Sequence, residues 1–167
     1  MPAEWESHEA VWFSWPHPET ESFPGAYERI PRAMGALIRA AADFEPVRVN
    51  VRHAAEEAEA RKHIGKCDRV EFFPIDSDEP WCRDHGPIFL VNDRTGEVAV
   101  ADFDFNSWGR KLPRWELDRR VPEAIARQLG LRHMECPMIL EGGSIDVNGT
   151  GSVLTTKSCL LNENRNP

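Results

Sequence analysis

The densest group of polar side chains lies in the segment from Asp76 to Pro87, between two apolar runs with the character of β-strands. The segment holds several carboxylates, a tryptophan, an arginine and a histidine. A guanidinium group is planar, donates paired hydrogen bonds to carboxylates and stacks on aromatic rings. Carboxylates close to Trp81 in the sequence therefore predict a binding site for a guanidinium or a similar cation.

Spacing alone leaves two other interpretations of this segment open. Its charges can be solvated or paired internally, for instance Arg83 with a neighbouring carboxylate, because polar loops at strand ends often have no function. A metal-dependent hydrolase could instead use four side chains, Asp76, Asp78, Asp84 and His85. Pro80 and Trp81 interrupt that set, and neither a zinc nor a calcium-loop spacing is present, which disfavours a metal.

A second polar cluster, Glu141–Ser144, follows a short apolar run. Its two glycines allow another part of the backbone to approach closely, and an acid at a strand end can orient a base or bind a cation. The alternative is a turn that carries an incidental acid.

A third cluster spans Asp102–Gly109, where acidic and aromatic residues alternate before a turn. The phenylalanines are expected in the core, because alternation along a strand directs every second side chain to one face. Asp104, Asn106 and Trp108 are open to a role in a pocket or in packing.

In the segments that must position these clusters, apolar residues recur at the spacing of a helix in some places and of a strand in others. This mixture predicts an α/β fold. Gly130 is expected to end the last helix, and Gly-containing loops at 92–96 and 148–151 predict two hairpins. Gly86 and Gly143 each precede strand, loop and strand, which suggests a faint repeat. The predicted helices are 27–43, 54–64 and 121–129, and the predicted strands are 10–15, 47–51 (half-exposed), 70–75, 87–91, 98–105, 138–140, 144–147 and 153–156.

Composition limits the classes of partner. The chain has 28 acidic and 20 basic residues and a formal net charge of -8, without a long run of Lys or Arg. These values argue against nucleic acid and suit a small cationic ligand. An acidic amino terminus, and the lack of an apolar run of the ~20 residues that a membrane helix needs, predict a cytoplasmic protein with no membrane partner.

The four cysteines, Cys67, Cys82, Cys136 and Cys159, are widely spaced and form no CxxC pair. We interpret these four cysteines as separate, reduced thiols.

With these segments described, the chain resembles the agmatine deiminase and bacterial peptidylarginine deiminase family from Pro2 to Pro167. Several motifs occur in the family's order, which is far more specific than any one motif alone. The matching stretches are Pro2–Glu6 with His8–Ala10 and Trp15–His17, Trp81–Pro87, Asp104–Gly109, Leu140–Ser144, and Leu160–Asn162 with Asn164–Pro167.

The resemblance implies the pentein fold, an α/β propeller of five pseudo-symmetric units, of which residues 1–167 would form the amino-terminal portion of a single, incomplete domain. It also implies a reaction in which a cysteine thiolate attacks the guanidinium carbon, ammonia leaves, and water hydrolyses the covalent amidino intermediate. No organic cofactor or metal takes part. Agmatine, converted to N-carbamoylputrescine in putrescine and polyamine biosynthesis, is the expected substrate, and a homo-oligomer is one expected assembly.

The resemblance also implies roles for individual residues. Asp84 would hold the guanidinium nitrogens, Trp81 would pack beside the substrate, and Trp108 would line the pocket. Glu141 would support the catalytic histidine. Arg83 and His85 would shape the loop without taking part in the chemistry.

Two parts of the family pattern, the Gly-His-x-Asp motif and the late nucleophilic cysteine, have no counterpart in these 167 residues. The chain is therefore expected to be a fragment that is inactive alone. A non-catalytic half-pentein that binds cations or a partner is the competing class, and a peptidylarginine deiminase is the competing enzyme.

Overall fold

The computed structural model describes residues 1–166. The chain forms two compact units. The amino-terminal unit is Ser7–Cys82, and the carboxy-terminal unit is Arg83–Pro167 together with Met1–Glu6. Helices and strands are mixed in both, as the sequence predicts.

The amino-terminal unit contains a parallel sheet with the strand order β1-β2-β3. Val47 in the central strand faces Val11 on one side and Val70 on the other. Parallel neighbours need a crossover connection, and the two long helices supply it. The elements are β1 (Val11–Ser14), a 3-10 turn (Tyr27–Arg29), α1 (Ile30–Ala42), β2 (Val47–Val51), α2 (Ala54–Ile64) and β3 (Val70–Pro74).

The prediction that β2 is half-exposed was wrong. Val47, Val49, Asn50 and Val51 are all buried, because β2 is the central strand and pairs on both edges. The alternating polar residue Asn50 is accommodated by a hydrogen bond from its Nδ2 to Ser14 Oγ at 3.1 Å.

A close approach of α1 to α2 depends on Gly35. A Cβ atom at that position would lie 2.7 Å from the carbonyl carbon of His63, inside van der Waals contact. Ile38 on α1 and Ile64 on α2 are fully or almost fully buried in the same core. Pro31 occupies the first turn of α1, as predicted, where its missing N–H has no helical partner.

The carboxy-terminal unit has one sheet of order β4-β5-β6 and a separate β7-β8 pair. The β4-β5 and β7-β8 pairs are antiparallel hairpins, as the glycine-containing loops predict, and β5-β6 is parallel. Its elements begin with α3 (Cys82–His85), whose first residue still belongs to the amino-terminal unit. They continue with β4 (Ile88–Val91), β5 (Val98–Asp104), α4 (Ser107–Arg110), a 3-10 turn (Asp118–Arg120), α5 (Val121–Leu129), β6 (Arg132–Ile139), a 3-10 turn (Gly142–Ser144), β7 (Ile145–Val147), β8 (Val153–Thr155) and α6 (Lys157–Leu160).

The sequence located the three long helices well, but it misplaced the start of the longest strand and missed the one-turn helices. Gly130 ends α5 with a left-handed φ of 65°, as predicted. In contrast, β6 begins at Arg132, well before the predicted start at Met138, because charged residues on its exposed face hide the strand pattern. The helices α3, α4 and α6 have four residues each and were not predicted, since one helical turn has no period to detect.

Among the described residues, no helix has the length and apolar character required to cross a membrane.

We expect Gly35→Ala to lower the free energy of unfolding by about 1–3 kcal/mol, as overpacking usually does. In an unobstructed helix the same change would be stabilising, because alanine has the higher helix propensity. Urea denaturation measures the difference in the free energy of unfolding. The matched control is Ala36→Gly on the exposed side of α1, which is expected to lower the free energy of unfolding by about 1 kcal/mol. A rise in the unfolding midpoint for Gly35→Ala would contradict the packing described.

Candidate active site

The Trp81–Pro87 motif forms the short helix α3 and the residues on either side of it. Arg83 makes an ion pair with Glu4, in the amino-terminal segment of the same unit. The ion pair of Arg83 is therefore outside the segment 76–87, and the interpretation in which Arg83 pairs with a neighbouring carboxylate of that segment is wrong.

Asp84 receives two hydrogen bonds that fix its carboxylate. The backbone N–H of Gly143 donates one, and the indole N–H of Trp108 donates the other. Any Cβ atom at residue 143 would overlap an oxygen of Asp84. The absence of a side chain at Gly143 is what permits the backbone to reach the carboxylate, as the glycine pair after Glu141 suggests.

The pKa of Asp84 is raised above its ordinary value of 3.8. Partial burial is the main cause, and the charge of Glu141 acts in the same direction. The hydrogen bonds from Gly143 and Trp108 oppose the shift by stabilising the ionised form. Asp84 is thus a desolvated carboxylate with fixed orientation, which attracts a cation more strongly than a solvated one.

Glu141 is a second buried acid, with 3% of its surface exposed. Arg165 Nε donates to Glu141 Oε1 at 2.7 Å, and Arg165 Nη1 donates to Asn164 Oδ1 at 2.7 Å. Burial of a carboxylate is costly unless a cation and hydrogen bonds compensate it, and Arg165 supplies both. The negative charge of Glu141 lies close enough to Asp84 to act on its ionisation.

Trp108 is held in place by an unusual left-handed turn, the α4 segment. Ser107, Trp108 and Arg110 have φ values of 54°, 55° and 64°, a region that residues other than glycine rarely occupy. Such a conformation costs on the order of 1–3 kcal/mol at each residue and occurs most often at functional sites.

Contacts around Asn106 and Gly109 stabilise the turn. The side-chain oxygen of Asn106 accepts from the Gly109 N–H at 2.8 Å, and its amide donates to the Asn164 carbonyl at 2.8 Å. A Cβ atom at Gly109 would overlap the side chains of Asn164 and Arg165. The turn that carries Trp108 and the segment that pairs with Glu141 are therefore packed against each other.

A buried histidine and aspartate support α3. His85 Nε2 lies 3.7 Å from Asp118 Oδ1, and neither side chain is exposed. The ring of Phe105 meets His85 edge-on, with centroids 6.0 Å apart, and meets Trp108 in the same way at 5.4 Å. This packing agrees with the expectation that His85 shapes the loop. Asp118 was missed, because it precedes two arginines and resembles an ordinary surface residue in the sequence.

Trp81 belongs to the amino-terminal unit, where its indole is 40% exposed. The indole N–H donates to Ser22 Oγ at 2.6 Å, and the ring centroid lies 5.9 Å from that of Phe23. Sequence analysis identified Trp81 but missed Ser22 and Phe23, which lie some sixty residues earlier in a polar segment with no strand or helix pattern.

The other predicted residues have separate surroundings. Asp104 pairs with Arg119 at 2.6 Å. Asp76 and Asp78 belong to the amino-terminal unit, and Asp84 and His85 to the other. Within residues 1–166, no group of three or more His, Cys, Asp or Glu side chains could hold a metal ion, and none of the four cysteines forms a disulfide.

A family model described as Porphyromonas-type peptidyl-arginine deiminase matches residues 1–167. The chain belongs to this family, and its fold is the pentein fold of the family's solved members.

Curated proteins similar to this chain include agmatine deiminases. The chain is 40% identical to the Pseudomonas aeruginosa enzyme (strain LESB58) over 174 residues, and 39% identical to the Ectopseudomonas mendocina enzyme over 173. These alignments cover all of this chain and 46% of each relative. The chain thus spans about half the length of the curated relatives it matches.

Two solved structures match with similar coverage. Agmatine deiminase of Enterococcus faecalis, described as catalysing its reaction, superposes with a TM-score of 0.90 at 31% identity over 100% of this chain and 46% of that chain. A Cys-to-Ser variant of C. jejuni agmatine deiminase with substrate bound superposes with a TM-score of 0.85 at 33% identity, over 98% and 47%.

Replacing Glu141 by Gln is expected to lower the pKa of Asp84. The neutral amide removes a negative charge that disfavours ionisation of Asp84, and it leaves the positive charge of Arg165 less compensated. Both changes stabilise the ionised form, so the titration moves to lower pH. Carboxyl-carbon NMR across the acidic range measures the shift. Glu135→Gln on β6 is the control, and an unchanged or raised pKa in Glu141→Gln would contradict the electrostatic account.

Proposed function

We propose that the native protein is a guanidine deiminase, a hydrolase of carbon–nitrogen bonds that converts agmatine and water to N-carbamoylputrescine and ammonia. The observation that carries the proposal is Asp84, a desolvated carboxylate fixed by the Gly143 N–H and the Trp108 indole. The names of the agmatine deiminase relatives support agmatine as the substrate.

Asp84 would bind the guanidinium by accepting two parallel N–H bonds, since a carboxylate matches the spacing of two guanidinium nitrogens. Two donors already hold the Asp84 carboxylate, so little orientational freedom is lost when the substrate binds. The neutral ureido group of the product binds less tightly than the guanidinium to the same carboxylate, which favours release after the reaction.

The chemistry is proposed to follow the family pattern. A cysteine thiolate adds to the guanidinium carbon, the carbon–nitrogen bond breaks, and ammonia leaves after protonation by a histidine. Water then adds to the amidino carbon, the carbon–sulfur bond breaks, and the thiolate is regenerated with a ureido product. The substrate-bound Cys-to-Ser variant of the C. jejuni enzyme supports a cysteine in this role. The resemblance assigns the cysteine and the histidine to positions after the Asn164–Pro167 stretch, so we propose that the native protein supplies both there.

Glu141 is proposed to act near the same centre. The role that the resemblance implies for it is to support the catalytic histidine, and the hydrogen bond from Arg165 holds the Glu141 carboxylate in one orientation. The two units are proposed to belong to one pentein domain, and a homo-oligomeric assembly remains a prediction.

Peptidyl arginine is the second candidate substrate, because the family model carries that description. A peptide has bulky groups on both sides of the arginine, whereas agmatine ends in a single ammonium. Comparing citrulline formation in an arginine peptide with turnover of agmatine by the native protein separates the two. A binding module without catalysis would give neither product, yet it would still bind agmatine.

In the native protein, Asp84→Asn is expected to raise KM and to lower kcat together, with kcat/KM reduced at least about a hundredfold. A neutral amide cannot match the charge of the guanidinium in the ground state or in the transition state. Steady-state kinetics with agmatine measures both constants. Asp93→Asn in the exposed β4-β5 loop is the control, and unchanged kinetics for Asp84→Asn would remove Asp84 from the site.

The deiminase mechanism and the metal-hydrolase alternative respond differently to reagents. We expect the native protein to keep its activity after treatment with a chelator, and to lose it with a haloacetamidine, which alkylates a cysteine that binds amidines. Protection by excess agmatine would show that the reagent acts at the substrate site. Loss of activity with the chelator, restored by a divalent metal, would instead favour the metal hydrolase.

A further inference from the structure

A buried carboxylate, Glu79, has no part in the function proposed above, although it lies two residues before Trp81. Only 2% of its surface is exposed. The backbone N–H of Glu21 donates to Glu79 Oε1 at 2.7 Å. The hydroxyls of Thr20 and Ser22 both donate to Oε2. The whole segment 20–22 is therefore wrapped around one carboxylate.

The direction of the bonds from Trp81 to Glu79 follows from donor chemistry. An indole N–H can only donate, and an ionised carboxylate can only accept. Ser22 Oγ lies between them, accepting from Trp81 Nε1 at 2.6 Å and donating its single proton to Glu79. The three groups form a one-way chain that ends on a negative charge, and such chains strengthen each bond in them.

These hydrogen bonds fix the indole of Trp81, and part of its ring remains accessible to solvent. Its edge is tied to Ser22, the ring of Phe23 lies 5.9 Å away at an angle of 45°, and 40% of the residue is exposed. A hydrogen bond donated toward an anion also increases the electron density of the indole ring. Cations bind the face of an electron-rich ring, and tryptophan binds them better than other aromatic residues.

The surroundings keep segments 17–23 and 77–81 together. His17, which is buried, lies with Nε2 3.2 Å from the carbonyl of Ser77. Its Nδ1 lies 2.9 Å from Glu19 Oε2, and Arg52 Nη2 pairs with the same carboxylate at 3.0 Å. The Ser22 hydroxyl therefore belongs to a fixed structure that presents Trp81.

We propose that Glu79 is a positioning residue that acts through the hydroxyl of Ser22 to hold the Trp81 indole as the binding face for the aliphatic and cationic part of the substrate. This inference rests on the proposed function, because the identity of the substrate comes from there. It assigns a role to Thr20–Phe23, a segment in which sequence analysis identified no site residue.

The test compares Ser22→Ala with Ser22→Thr in the native protein. Ser22→Ala removes the bridging hydroxyl, and we expect KM for agmatine to rise about tenfold while kcat changes less than about threefold, since the indole is a binding surface and not a reacting group. Ser22→Thr keeps the hydroxyl and should restore most of the loss. Ser7→Ala, an exposed serine of the same unit, is the control. An unchanged KM in Ser22→Ala, or a failure of threonine to restore it, overturns the proposal.

A second measurement reports on the chain of hydrogen bonds without using activity. In the native protein, the Trp81 indole N–H, assigned by its loss in Trp81→Phe, should exchange with deuterium at least about tenfold more slowly than in Ser22→Ala or Glu79→Gln. Equal exchange rates overturn the proposal. If the wild-type protein fails to convert agmatine, the proposed function fails, and the exchange rates still decide whether Glu79 and Ser22 position the indole.

Discussion

The carboxylate of Asp84 is the group on which the carboxy-terminal unit depends, because a partly buried negative charge must be compensated by fixed donors. The Gly143 N–H and the Trp108 indole provide them. Each of these donors requires its own local structure. Gly143 must lack a side chain, and Trp108 must lie in a left-handed turn. Much of the irregular backbone in this unit can be understood as the means by which two donors reach one carboxylate.

The same turn links Asp84 to the second buried acid. Asn106 holds the turn and binds the carbonyl of Asn164, and the next residue, Arg165, neutralises Glu141. Segments far apart in the chain are thereby packed around one small volume. The strained φ values at Ser107 and Trp108 are energetically unfavourable by themselves, and they are stabilised by these contacts rather than by local sequence preference.

The amino-terminal unit also contains a buried carboxylate, which is stabilised by a different set of donors. Glu79 is buried, and its charge is compensated by hydroxyl and backbone donors from Thr20, Glu21 and Ser22 rather than by a cation. In both units a tryptophan indole donates toward a carboxylate, directly in one case and through a serine in the other.

The sequence by itself determined the α/β class, the long helices, most of the strands and the two hairpins, because these depend on periodicity and on glycine positions that are local in the chain. Its ordered motifs were also enough to identify the family, and the resemblance named Asp84, Trp81, Trp108 and Glu141 as candidate site residues, which remain predictions. Only the tertiary structure decided what each of them contacts. The pairing of Glu141 with Arg165, of His85 with Asp118, and of Trp81 with Ser22 joins residues 24, 33 and 59 positions apart, and no local pattern encodes such contacts. The burial of β2 was decided in the same way, because a strand is central or at an edge only after its neighbours have paired.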